Sequence, residues 1–117
     1  MSTYYRPVHL ERVPTVQAGQ VAADATILDV REDDEWAAGH IAGSTHVPLS
    51  QLPARAADIP AADPLVVVCR VGARSAQVAA WLLGQGRQAV NLTGGLDAWA
   101  AAGRPLVTDA GGPGFVR

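Results

Sequence analysis

The sequence contains a single cysteine and no long apolar run. Because Cys69 has no second cysteine to pair with, an internal disulfide is excluded, and its thiol belongs to a core, a surface or a functional site. The longest apolar stretch, Leu65 to Val68 ahead of Cys69, is far shorter than the roughly 20 residues of a membrane-spanning helix. We therefore expect no membrane span and no disulfide framework.

Strong charge of either sign is also missing. The net charge is −2 and there is no run rich in lysine or arginine, so electrostatics gives no reason to expect a nucleic acid or an anionic membrane as a partner. Residues 1–10 carry Arg6 and His9 and lack the apolar centre of a secretory signal. These absences favour a cytoplasmic protein that acts on small molecules or on other proteins.

The sequence has enough apolar residues for one folded core. Apolar residues make up 49% and charged residues 17%, a balance that favours a packed core over disorder. The length of 117 residues fits one domain. We predict a single domain over residues 1–117, with its core at about 12–106, an N-terminal edge segment at 1–11 and a flexible glycine-rich tail at 108–117.

Short apolar strands alternate with helical segments along the chain. Strands are predicted at 25–30, 44–47, 65–68 and 88–92, and helices at 32–38, 48–57, 73–83 and 96–102. Thr15, after Val13 and Pro14, is a predicted helix cap. The alternation predicts an α/β fold of three layers, α/β/α, around a central, mostly parallel sheet of about five strands. Ligands of such sheets bind beyond the carboxyl ends of the strands, which is where Cys69 lies.

Cys69 begins the connection between the strongest predicted strand and the best predicted helix. Backbone N–H groups converge at a helix N-terminus, and their field favours a bound anion or a thiolate. Gly72 permits a tightly curved loop, and Arg70 and Arg74 add permanent positive charge for an anionic substrate. A buried core thiol is the plain alternative, but packing alone requires neither the arginines nor the glycine. We expect Cys69 to be a reactive nucleophile.

The residues Cys69, Gly72, Arg74 and Ser75 form the pattern Cys-x-x-Gly-x-Arg-Ser, which resembles the active-site loop of rhodanese-type sulfurtransferases. Two further segments are similar to other signatures of that family. They are Leu28 to Glu32 with Glu35, Gly39 to Ser44 and Val47-Pro48 for the N-terminal signature, and Leu92 to Trp99 for the C-terminal one. Together they span Ile27 to about Gly103. The resemblance implies a single rhodanese-like α/β domain that needs no metal or cofactor.

The resemblance also implies a two-step sulfur exchange at Cys69. The thiolate takes the outer sulfur of a small anionic donor such as thiosulfate, and a thiophilic acceptor, such as cyanide or a protein or small-molecule thiol, removes it from the persulfide. Substrate binding is then expected in the loop, at Arg70, Val71, Gly72, Ala73, Arg74 and Ser75. Relatives that prefer thiosulfate have basic loops, so Arg70 and Arg74 favour thiosulfate over mercaptopyruvate.

Asp29 and Arg31 are expected to support the site rather than to react. Asp29 ends a strand beside the loop, where its carboxylate can orient Arg31 or accept loop N–H bonds, and we favour a structural ion pair. Arg31 and Glu35 have a spacing suited to a local pair. A base such as His40 is not required by the family mechanism. His9 and His46 show no metal-ligand spacing with each other or with Cys69, so we predict no metal site.

Two other functions fit part of the pattern. A sulfur relay or binding module would share the chemistry of Cys69 but would hand the persulfide to a partner protein without turnover of a small donor. A phosphatase or arsenate reductase has one residue more between its cysteine and arginine than the four that separate Cys69 from Arg74. The sequence therefore predicts an enzyme of the thiosulfate sulfurtransferase type, with the relay as the main alternative.

Overall fold

The computed structural model describes residues 9–117, so most of the predicted edge segment at 1–11 lies outside the described residues. The strands are β1 (Thr15–Val16), β2 (Ile27–Asp29), β3 (Thr45–His46), β4 (Leu65–Val68) and β5 (Ala89–Leu92). The α-helices are α1 (Asp33–Ala38), α2 (Ala73–Gly84) and α3 (Gly95–Ala101). Short 3-10 helices cover Leu10–Arg12, Ala18–Gln20, Leu49–Gln51 and Ala56–Asp58.

The five strands form one parallel sheet in the order β1-β5-β4-β2-β3. The central strand β4 pairs with both neighbours, and Val67 lies between Leu28 of β2 and Asn91 of β5. Because all strands run in the same direction, their carboxyl ends meet at one edge of the sheet, and Cys69 follows β4 at that edge. The predicted α/β class with a parallel five-stranded sheet is confirmed.

Apolar cores lie on both faces of β4, as its unbroken run of buried residues requires. Val67 packs on one face with Val78 and Leu82 of α2. Val66 and Val68 pack on the other face, where α3 contributes buried residues that include Trp99. Among residues 9–117, no helix combines the length and the apolar character needed to cross a bilayer. The two cores hold α2 and α3 against opposite faces of the sheet.

Two local predictions are wrong. Thr15 is not a helix cap, because its backbone lies in edge strand β1 and pairs with Asn91 of β5. The helix predicted at 48–57 is replaced by two 3-10 turns, Leu49–Gln51 and Ala56–Asp58. Pro53 lies between these turns, and a proline there removes the N–H that a continuous helix would need. In both places the local residue preference was overruled by sheet pairing or by proline.

The C-terminal segment runs back along α1. The N–H of His40 donates to the carbonyl of Val107 at 2.9 Å, and the N–H of Val107 donates to the carbonyl of His40 at 2.8 Å. Further along, the N–H of Phe115 donates to the carbonyl of Ala38 at 3.0 Å. The expected flexibility of residues 108–117 stays a prediction, and these bonds show which surface the segment contacts.

The beginning of α3 packs directly under the loop that follows β4. The N–H of Leu96 donates to the carbonyl of Cys69 at 2.9 Å, and the N–H of Asp97 donates to the carbonyl of Arg70 at 3.0 Å. Gly95 makes this approach possible, because a Cβ added there would lie 2.5 Å from the carbonyl oxygen of Cys69. The φ angle of Gly95 is also +60°, which disfavours any residue with a side chain. The loop is therefore held from below by α3.

We predict that Gly95→Ala lowers the free energy of unfolding by about 3 kcal/mol or more, because it adds a steric overlap to the cost of a left-handed backbone. Urea denaturation measures the loss. Gly86→Ala is the matched control, since Gly86 also has a positive φ of +84° but has no atom within 4 Å of an added Cβ. The control should lose only about 1–2 kcal/mol. Equal losses in the two variants would contradict the packing argument.

Candidate active site

The sulfur of Cys69 lies in a cradle formed by the first turn of α2. Cys69 is 1% exposed, and its Sγ accepts hydrogen bonds from the backbone N–H of Gly72 at 3.1 Å and from that of Ser75 at 3.4 Å. The Ser75 hydroxyl oxygen lies 3.2 Å from the same Sγ. Gly72 caps the helix with a φ of +105°, which turns the chain back over the sulfur. Two backbone N–H donors and one hydroxyl thus converge where a thiolate would carry its negative charge.

The structure places the six predicted loop residues in different surroundings. Gly72 and Ser75 face the sulfur, and Ala73 is the first residue of α2. Val71 stands at the outer side of the loop and is 57% exposed. The two arginines point in different directions. Arg70 is half exposed beside Asp97 of α3, and Arg74 turns towards Glu35 of α1. The loop therefore carries one loosely paired and one firmly paired cation.

Arg74 forms a bidentate ion pair with Glu35 of α1. Its two terminal nitrogens lie 2.7 and 2.8 Å from the two carboxylate oxygens. The hydrogen bonds from Arg74 lower the pKa of Glu35 from 4.5 to about 2, against the opposing effect of burial, and the same bonds raise the pKa of Arg74. Arg31 and Glu35 are also in contact, but through the backbone: Nη1 of Arg31 donates to the Glu35 carbonyl at 3.1 Å, and the Glu35 carboxylate pairs with Arg74 instead.

Asp29 and Arg31 form a buried ion pair at the end of β2, and neither residue is exposed. Nη2 of Arg31 lies 2.8 Å from Oδ2 of Asp29. The same nitrogen donates to the carbonyl of Gly39 at 2.7 Å, beyond the end of α1. Such a pair is stable in a core only when its remaining polar atoms are satisfied, and these are. The pair ties α1, and with it Glu35, to the sheet.

Arg70 is held far more loosely than Arg74. Its Nε lies 3.6 Å from a carboxylate oxygen of Asp97, and about half of each side chain is exposed, 53% and 47%. An ion pair of this kind contributes little stability in water. The contact with Asp97 therefore does little to fix the position of the Arg70 side chain.

Sequence reasoning missed Asn91, which lies on β5 behind the loop and is 8% exposed. Its Nδ2 donates to the carbonyl of Gly72 at 3.0 Å, and its Oδ1 accepts from the hydroxyl of Ser75 at 2.6 Å. The signal available in the sequence was a lone amide within an otherwise apolar strand, next in the sheet to the strand that leads to Cys69. The pairing of β4 with β5 brings the amide to the site.

His40 does not face the sulfur. Its Nδ1 lies 2.9 Å from the carbonyl of Trp36, its ring stacks on that indole with centroids 3.5 Å apart, and its Nε2 lies 3.4 Å from Asp109. These contacts join α1 to the C-terminal segment. In the part of the chain from residue 9 onwards, no cluster of three or more His, Cys, Asp or Glu is placed to hold a metal ion.

Comparison with known proteins agrees with the geometry. The family model of the rhodanese-like domain matches residues 14–102. This chain belongs to the rhodanese family. The rhodanese domain is 39% identical over 89 residues to the "Sulfurtransferase" of Allochromatium vinosum, covering 75% of this chain and 83% of that protein. It is 37% identical over 107 residues to the "Thiosulfate sulfurtransferase GlpE" of Pseudomonas fluorescens, covering 88% of this chain and 95% of that protein.

A solved structure supports the same assignment. The crystal structure of a rhodanese-related protein from Thermoplasma volcanium matches this rhodanese domain with a TM-score of 0.75 and 31% identity, over 80% of this chain and 97% of the other. The resemblance inferred from the three sequence signatures is therefore confirmed. The chain is a member of a family that contains sulfurtransferases, and the role of each loop residue stays a prediction.

The Glu35–Arg74 pair predicts a pH-dependent contribution to stability. Because the pKa of Glu35 is lowered to about 2, the pair stabilises the fold fully above pH 4.5, and this contribution is lost as the pH falls from 4.5 to about 2. We predict that Glu35→Gln lowers the free energy of unfolding by about 1–3 kcal/mol near neutral pH. Urea denaturation at a series of pH values should show the difference from wild type shrinking in that acidic window.

Asp58→Asn is the matched control, since Asp58 also pairs with an arginine, Arg55, but both side chains are well exposed, 57% and 40%. The control should change stability by less than about 1 kcal/mol. A Glu35→Gln effect that is equally small, or that does not vary between pH 4.5 and 2, would show that the pair stabilises nothing.

Proposed function

We propose that this rhodanese domain transfers sulfane sulfur from thiosulfate to a thiophilic acceptor through a persulfide on Cys69. The observation that carries the proposal is the set of donors around the Cys69 sulfur, which includes the N–H groups of Gly72 and Ser75 at 3.1 and 3.4 Å. A buried thiol with a purely packing role has no need of such donors. The relatives named thiosulfate sulfurtransferase support the choice of donor.

In the first step, the thiolate of Cys69 attacks the outer sulfur of thiosulfate. A bond forms between the two sulfurs, the sulfur–sulfur bond of thiosulfate breaks, and its electron pair leaves with sulfite. No external oxidant is needed, because the oxidation of Cys69 to the persulfide is balanced by the reduction of the donor. The helix N-terminus favours the thiolate before attack, and loop N–H groups of residues 70–75 stabilise the anionic terminal sulfur afterwards.

In the second step, an acceptor such as cyanide or a thiolate attacks the terminal sulfur of the persulfide. The new bond forms to the acceptor, the persulfide bond breaks, and Cys69 recovers its electron pair as a thiolate. The donors from Gly72 and Ser75 then stabilise the leaving thiolate as they stabilised the attacking one. The cradle serves both half-reactions because the same charge appears on the same sulfur in each.

We assign different roles to the two loop arginines. Arg74 is bound to Glu35 through both of its terminal nitrogens, so we assign it to holding the loop against α1. Arg70 is half exposed and loosely paired, so we assign it to the sulfonate end of thiosulfate and to the departing sulfite. Asp29 and Arg31 support the site through α1. We thus propose separate roles for two arginines to which the sequence suggested a single shared role.

A sulfur relay between proteins is the second candidate function. Val71 is 57% exposed at the outer side of the loop, beside half-exposed Arg70, so a partner protein would meet apolar and cationic contacts at the mouth of the site. One relative, 35% identical over 62% of this chain, is named a putative sulfur carrier protein of Bacillus subtilis. A reactive free thiol is suited to a reducing compartment, and we propose the cytoplasm for either function.

We predict that the purified protein forms thiocyanate from thiosulfate and cyanide, and that Cys69→Ser forms none because it lacks the nucleophile. Thiocyanate is measured by its iron complex, and intact mass should show one added sulfur on the wild type alone. If neither thiocyanate nor the added sulfur appears, the thiosulfate assignment is wrong. If sulfur is added but cyanide does not remove it, the relay becomes the better assignment.

We also predict that Arg70→Ala raises KM for thiosulfate about tenfold or more, since it removes a charged hydrogen bond to the donor. Steady-state kinetics with cyanide as acceptor measures the change. Arg55→Ala is the control for loss of one positive charge, because Arg55 pairs with Asp58 on the surface. Its KM should stay within about twofold of wild type. An equal rise in both variants would assign the effect to net charge and not to Arg70.

A further inference from the structure

The side chain of Asn91 touches both parts of the sulfur cradle. Its Nδ2 donates to the carbonyl of Gly72 at 3.0 Å, and its Oδ1 lies 2.6 Å from Oγ of Ser75. Gly72 and Ser75 are also the residues that supply the donors to Cys69. Neither of the two hydrogen bonds of Asn91 is made to the sulfur. Asn91 therefore influences Cys69 through Gly72 and Ser75.

The hydrogen bonds determine how the amide of Asn91 is oriented. The carbonyl of Gly72 can only accept, so the NH2 group must face it, and the amide oxygen must then face Ser75. The hydroxyl of Ser75 has a single hydrogen and two acceptors within reach, Oδ1 at 2.6 Å and the sulfur of Cys69 at 3.2 Å. The shorter contact is close to an ideal O–H···O bond, so the hydrogen lies on the side of Asn91.

We propose that Asn91 is a positioning residue that competes with the sulfur of Cys69 for the hydroxyl hydrogen of Ser75. While Cys69 is a thiol, the Ser75 hydroxyl donates to Asn91, and its lone pairs are free to accept from the S–H group. When the thiol loses its proton to solvent, the hydroxyl turns about its C–O bond and donates to the thiolate. No covalent bond changes in Ser75 or Asn91.

The competition for the Ser75 hydrogen makes ionisation of Cys69 less favourable. Each time Cys69 ionises, the Ser75 hydroxyl must give up a short bond to the Asn91 oxygen in order to reach the sulfur. A side chain at position 91 that cannot accept a hydrogen bond removes this cost, so Cys69 should ionise at lower pH. The inference rests on the proposed function only in taking Cys69 as the reactive group, since it concerns the nucleophile before any sulfur donor arrives.

Charged groups lie on the elements around Cys69, and they must be kept constant. They are Arg74 of α2 with Glu35 of α1, Arg70 of the loop with Asp97 of α3, and the buried pair Asp29 and Arg31 at the end of β2. None of them is changed in the variants below. A difference in the ionisation of Cys69 between these variants therefore reports on hydrogen bonding and not on a new charge.

The test is a double-mutant cycle on the ionisation of Cys69. The ultraviolet absorbance of the thiolate is followed against pH in the wild type, Asn91→Leu, Ser75→Ala and the double variant. The matching Cys69→Ser protein is subtracted from each, which removes the tyrosine signal. We expect Asn91→Leu to move the midpoint down by about half a pH unit or more when Ser75 is present, and not to move it down in the Ser75→Ala background.

A midpoint that does not fall in Asn91→Leu, or that falls equally in both backgrounds, would overturn the proposal. Thermal melting checks that the variants fold, and Asn91→Ala, which also lacks an acceptor, replaces the leucine variant if that one does not. The titration needs no sulfur donor. If the Asn91→Leu midpoint falls only when Ser75 is present but no thiocyanate forms, the proposed function alone is overturned. If thiocyanate forms but the midpoint does not depend on Ser75 in this way, this inference alone is overturned.

Discussion

The site depends on one constraint, which is that the chain must reverse direction immediately after β4 while keeping its backbone N–H groups turned towards one sulfur atom. Gly72 makes the reversal with a positive φ, and α2 begins at the next residue. On the opposite side, the N–H groups of Leu96 and Asp97 bind the carbonyls of Cys69 and Arg70. The N–H groups of Gly72 and Ser75 are available to the sulfur because the first N–H groups of a helix have no acceptor within the helix, and α3 satisfies the two loop carbonyls.

The charges around the loop are organised in two layers with different mobility. The buried pair at the end of β2 holds α1, and α1 presents Glu35 to Arg74. This chain of contacts ends on the helix that carries the cradle, so it stiffens the site without touching the sulfur. Arg70 is left outside that framework, half exposed and paired only loosely with Asp97. Firmly held donors and one loosely paired cation would suit the proposed exchange, in which one anion enters and another leaves.

Local patterns predicted the parts of the fold that depend on local residues. The buried strand predicted at Leu65–Val68 and the alanine-rich helix predicted after it agree with the structure. Both predictions depend only on the types of a few consecutive residues, β-branched in the strand and helix-forming in the helix. The predictions failed where a distant partner or a proline decided the outcome. Thr15 became part of a strand because β5 offered it an edge, and the segment around Pro53 broke into turns.

The sequence by itself determined the family and the position of the candidate active-site cysteine, since the cysteine, the glycine and their helix are neighbours in the chain. Only the tertiary structure decided the partners of the charged and polar side chains. Arg74 meets Glu35 across 39 positions, and Ser75 meets Asn91 across 16. Such pairs depend on which strands lie side by side and how far each helix is shifted along the sheet. Packing of the two cores sets both, and no short stretch of sequence records them.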